Sequence, residues 1–138
     1  MNKKITNIKF ENRYLGIIVL VTIYFIVGLI HIFFGLIMLI GNLLVANFSI
    51  IPIIYSIYTF LYGFLTLIFA YLFWTGKRSG WSGIILISLF VILVDTLTFL
   101  NFLTILGIPK IAAIGEIPFS ILIVVYHLQN HIRSNYNI

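Results

Sequence analysis

Residues 15–40 read LGIIVLVTIYFIVGLIHIFFGLIMLI, an apolar run without a single Asp, Glu, Lys or Arg. A helix needs about 20 such residues to cross a hydrocarbon core about 30 Å thick. A secretory signal carries a shorter apolar region, about 7–15 residues, ahead of a small-residue cleavage site. This run is longer, and no A-x-A sequence follows it. It reads as a retained membrane span.

Outward from that run the pattern repeats. Gly41, Asn42, Asn47 and Ser49 suggest a short uncharged loop, and a second span covers about residues 51–74, with Pro52 in its first turn where a missing N–H matters little. Thr75 to Gly80 form a tight basic turn between Trp74 and Trp81, both at positions that suit the membrane interface. A third span is expected over about 81–106. Gly107, Pro109 and Lys110 turn the chain into a fourth over about 111–128, interrupted by Glu116 and by Pro118, which removes one backbone hydrogen bond. The remaining Gln129–Ile138 reads as a polar tail. The fold class expected is all-α, a single four-helix bundle integral to a membrane.

Composition agrees. Only 8% of the residues are charged and 62% are hydrophobic, with a mean hydropathy of +1.21. Soluble domains carry about 25% charged residues, so this chain could not cover a water-exposed surface. The net charge of +5 does not point to nucleic acid, because the basic residues flank apolar runs and form no patch with interleaved aromatics. There is no Cys, which excludes disulfides, thiolate metal sites and a Cys nucleophile. Orientation follows from charge. Lys3, Lys4, Lys9, Arg13, Lys77, Arg78 and Arg133 fall at one end of the four spans and Lys110 alone at the other, so both termini are expected in the cytoplasm.

Polar and small residues recur at helical spacing in every span. Tyr24, Gly28, His31 and Gly35 share a face of the first. Tyr55, Thr59, Tyr62 and Thr66 do so in the second; Ser88, Asp95 and Thr98 in the third; Glu116, Ser120, His127 and His131 in the fourth. Turned inward, these faces make a partly polar interior. At 1.5 Å per residue, His31 lies ~24 Å from the cytoplasmic end of its span, Asp95 ~21 Å, and Glu116 ~8 Å from the outer end. Tyr55, Tyr58 and Tyr62 belong to the same depth. His31, Tyr55, Tyr62, Asp95 and Glu116 are therefore the candidate site, a ligand, proton or ion cluster in the outer half.

Three structural accounts compete with that one. Asp95 can be protonated, or bonded to His31 or a Tyr hydroxyl, and merely glue helices together. The Tyr and Thr side chains of the second span can be ordinary interhelical hydrogen-bonding groups, or Asp95 can face a partner subunit. An intramembrane acid is disfavoured by ~2.5–3.5 kcal/mol on insertion scales, so some partner is expected. His127 and His131 stand four apart without a carboxylate, a weak metal signal beside the ordinary benefit of His near a helix C-terminus. A bis-histidine haem is excluded within one chain, since His31 and His127 are ~18 Å apart along the axis. No metal or cofactor is expected. Phe33, Phe34, Phe64 and Phe69 read as lipid-facing or packing residues, and Asn47-Phe48-Ser49 is a glycosylation sequon close to the membrane.

The segment from Tyr71 to Trp81, YLFWTGKRSGW, resembles a turn common in small uncharacterised prokaryotic four-helix membrane proteins. That resemblance covers the middle third of the chain. It implies the architecture and a prokaryotic inner membrane, with no activity or site residues. Three functions are consistent with the residues. The first is a non-enzymatic accessory or assembly subunit whose partners are the bilayer and a membrane protein or second copy. The second is a proton, ion or small-amphiphile carrier using the polar interior. The third is an embedded enzyme acting on a lipid or quinone, with His31 and Asp95 as an acid–base pair.

Overall fold

The computed structural model describes the backbone of residues 3–44, 50–103, 108–136 and 138, and the side chains of that set from Leu15 onward. The described residues form five α-helices: α1 (Lys3–Leu44), α2 (Ile50–Trp74), α3 (Arg78–Phe99), α4 (Lys110–His127) and α5 (Asn130–Arg133), followed by a 3-10 turn at Ser134–Tyr136. The first four each contain a segment long and apolar enough to cross a membrane.

Helix α1 exceeds the expected 15–40 at both ends. Residues 3–14 contain no Gly or Pro to stop a helix, so the basic segment continues the same helix. At the other end Gly41 and Asn42 are helical rather than loop, and the Asn42 amide donates to the Ser56 hydroxyl at 3.1 Å. The sequon at Asn47 lies outside the described residues.

Helix α2 ends as a Schellman motif. Gly76 sits at φ +75°, the Gly76 N–H donates to the Phe73 carbonyl and the Lys77 N–H to the Leu72 carbonyl. Helix α3 stops the same way, seven residues before its expected end at Leu106. Asn101 takes φ +62°, its N–H bonds the Thr98 carbonyl, and the Phe102 N–H reaches back to Leu97. Asn tolerates the left-handed conformation better than other non-glycine residues, so it can end a helix inside an otherwise apolar run. Helix α4 follows the expected 111–128 closely and runs on through Pro118.

The four long helices pack antiparallel in sequence order. Glycines set the closest approach of α1 and α2. A Cβ on Gly63 would stand 2.6 Å from the Gly28 carbonyl oxygen, and one on Gly35 would stand 2.7 Å from the Phe60 nitrogen. Backbones meet there directly, the usual route to tight helix contact in apolar surroundings. Helices α1 and α4 meet through longer side chains instead, with the Tyr126 hydroxyl over Gly16 and the Tyr24 ring beside His127.

Two apolar clusters fill the bundle. The one near the termini joins Tyr24, Ala70, Phe73, Ile84 and Ile123 to Ile132 and Tyr136. The second, at the far end, joins Val94, Ile108 and Ala113 with Tyr55 and Tyr58 packed against them. The tail expected to be polar is therefore folded in. Tyr136 stacks on Phe73 at 4.8 Å, and its hydroxyl donates to the Phe73 carbonyl at 2.9 Å. Ile132 supplies the apolar side of α5 that makes this docking favourable.

Candidate functional site

The polar faces read along each helix do turn inward. Thr59, Thr66, Ser88, Asp95, Thr98, Ser120 and His127 are buried, while Phe33, Phe34 and Phe64 are exposed and Phe69 packs against the core. Burial does not make these groups interhelical partners, however. Thr59 donates to the Tyr55 carbonyl and Thr66 to the Tyr62 carbonyl, both at 2.8 Å within α2. A Thr hydroxyl can turn to the carbonyl one turn back, and these two do so. One interhelical polar contact of α2 is Asn42 to Ser56, from a residue whose place next to Gly41 suggested a loop.

His31 pairs with Glu116 and not with Asp95. Its Nε2 lies 3.8 Å from Glu116 Oε1, and its Nδ1 is 2.8 Å from the Val27 carbonyl one turn back. A carbonyl can only accept, so Nδ1 carries hydrogen and Nε2 faces the carboxylate. That contact is favourable only when one of the two partners holds the intervening proton. The Tyr62 ring stands edge-on to the imidazole at 4.7 Å and fixes its plane. Both members of the pair remain partly exposed.

Asp95 is different. It is 0% exposed, so it faces the interior of this chain and not a partner subunit. Neither carboxylate oxygen has a hydrogen-bond partner, and the same holds for the buried Tyr58 hydroxyl and Thr98 Oγ1. Thr98 follows Asp95 by one helical turn. Tyr58 comes from α2, where its ring packs against Val94, Ile108 and Ala113. Tyr55, Tyr58 and Tyr62 all lie near the Asp95 and Glu116 carboxyl groups, so the five expected residues occupy one region. Tyr58 and Thr98 belong with them. Thr98 was visible on the Asp95 face, and Tyr58 completes a Tyr55–Tyr58–Tyr62 stripe at helical spacing.

At the other end, His127 is fully buried. Its Nδ1 donates to the Ile123 carbonyl at 2.8 Å, and its ring lies among Tyr24, Phe73 and Tyr126. His131 is exposed beyond the end of α4, against the Tyr126 ring. The i,i+4 spacing therefore does not put the two on one face, because the helix ends at His127. Among the described residues no group of three or more His, Asp or Glu could hold a metal together. No protein-family model matches the chain, and no curated protein or solved structure shows significant similarity to it.

The chemistry open to the far end is narrow. His31 and Glu116 can share a proton; Asp95, Tyr58 and Thr98 offer four oxygens to something positive.

Proposed function

We propose that the chain is a four-span integral protein of a prokaryotic plasma membrane, with both termini in the cytoplasm, acting without catalysis as an accessory or assembly subunit. Helix α1 carries this reading. It is the longest helix, yet its buried described residues are Tyr24, Gly28 and Gly35, and Leu29, Phe33 and Phe34 of its outward face are all exposed. The enclosed void among Tyr24, Tyr62, Thr66 and Ser88 is only about 10 Å³, space for about one water and not for a solute. A long helix with so few of its described residues buried suits a protein that works through its exterior.

Site-directed photocrosslinking in native membranes tests this. A probe at Phe33 of α1 is expected to trap one discrete protein partner, while a probe at the equally exposed Leu122 of α4 traps none. Lipid adducts alone at both positions would sink the proposal. For orientation, fusions at Asn2 and Tyr136 are expected to report the cytoplasm.

A second reading, an ion or proton carrier, is favoured by Asp95. Ionisable residues inside apolar surroundings are functional candidates by default, and this one has no structural partner to explain it. Flux in proteoliposomes that disappears in Asp95→Asn would support it.

A further inference from the structure

Every buried side-chain oxygen or nitrogen without a hydrogen-bond partner among the described residues belongs to Tyr58, Asp95 or Thr98. Orphaned buried polar atoms are few in folded proteins, and each asks for an explanation. Three at one place ask for a common one. The four oxygens come from two helices, and none accepts or donates within hydrogen-bonding distance of another. The ion pair found among the described residues is His31–Glu116, so no Lys, Arg or His neutralises Asp95.

The surroundings favour positive charge. Asp95 stands four residues before the last residue of α3, close to the end where the helix dipole presents its negative pole. Tyr55, Tyr58 and Tyr62 face the region from α2 and Glu116 from α4, with Glu116 already engaged by His31. An unpaired carboxylate in this position is strongly disfavoured, and hydroxyl oxygens can turn their lone pairs to a cation as readily as their protons to an anion.

Charge and ligand type select the ion. Carboxylate and hydroxyl oxygens suit hard cations, not the soft metals that prefer imidazole and thiolate. One free carboxylate neutralises one positive charge, so a divalent ion would leave an unbalanced charge in a low-dielectric setting. Asp95 is wholly enclosed, with Val94 and Ala113 buried nearby, which excludes an organic ammonium.

We propose that Asp95, with Tyr58 and Thr98, forms an all-oxygen site for a monovalent alkali cation, with sodium as the test ion. The site rests on the ion reading of Asp95 given above, but binding and transport are separable. As an equilibrium site it stabilises the fold by RT ln(1 + c/Kd), with c the cation concentration, whether or not the ion crosses.

The test uses the full chain purified in non-ionic micelles. Thermal unfolding is followed in sodium, lithium, potassium and choline chloride at one ionic strength. The melting temperature is expected to rise over the choline baseline with the logarithm of sodium concentration once that exceeds the dissociation constant. Thr98→Val and Tyr58→Phe should each move the onset of the rise to higher sodium concentration, and Asp95→Asn should abolish it. Sodium-23 line broadening on the unmodified chain, reversed by lithium, gives the same answer should the Asp95 variant fail to fold. Equal melting in sodium and choline, with no broadening, overturns the proposal, as does a sodium response that survives in folded Asp95→Asn. Binding without sodium flux in proteoliposomes leaves the site standing and removes only the carrier reading.

Discussion

Replacing Gly63 by Ala tests the seam on which the far-end site depends. The added methyl would lie 2.6 Å from the Gly28 carbonyl oxygen, 2.7 Å from the Ile32 nitrogen and 2.9 Å from His31 Cβ. Two of these are backbone atoms of α1 and the third is a side-chain stem, so none can swing aside. Ordinary contact begins near 3.4 Å, and α1 must therefore withdraw from α2 by about 1 Å at this level. A gap of that size forfeits about a quarter to a half of the dispersion attraction between facing atoms. Overpacking of this kind costs about 1–3 kcal/mol. Gly28→Ala should cost less, because its nearest obstacle is the free end of the Leu67 side chain, although the Gly63 carbonyl stands at 3.1 Å. Gly41→Ala meets nothing within 4 Å and should be neutral or mildly stabilising through helix propensity. Reversible unfolding in mixed micelles, followed by circular dichroism, measures all three. If Gly63→Ala falls within about 0.5 kcal/mol of Gly41→Ala, the ordinary scatter of surface substitutions, the close backbone seam is wrong. The arrangement that holds His31 against Glu116 would be wrong with it.

Other perturbations reach different joints. Asn101→Val places a β-branched residue at φ +62° and should destabilise by about 1–2 kcal/mol, whereas Asn101→Gly should be tolerated; the same unfolding assay checks both. Tyr136→Phe removes the donor to the Phe73 carbonyl and should cost about 1 kcal/mol, visible as faster proteolysis of the C-terminal segment. A double-mutant cycle between His31 and Glu116 should give a coupling of about 0.5–3 kcal/mol, because the two groups are in direct contact within apolar surroundings. The His31–Asp95 cycle should give a coupling near zero, and the reverse ranking would refute the assigned pairing.

The four long apolar helices and the inward polar stripes were legible without coordinates. Both depend on side-chain transfer free energies and on a 3.6-residue period, which belong to short stretches of chain. Gly76 announced its turn for the same reason, as a residue suited to the left-handed conformation between two apolar runs. Asn101 carried a similar signal but sat within an apolar stretch, and hydropathy alone carried the third span past it. Partner choice lay beyond local reading. Whether His31 meets Asp95 or Glu116 depends on the rotation and vertical offset of four helices, and only the α1–α2 part of that is set by where Gly28, Gly35 and Gly63 let backbones touch. Residues 129–138 looked polar because Ile132 and Tyr136 are isolated among polar neighbours. The apolar cluster around the buried Phe73, which the fold brings to the C-terminal segment, gives that pair a reason to be buried.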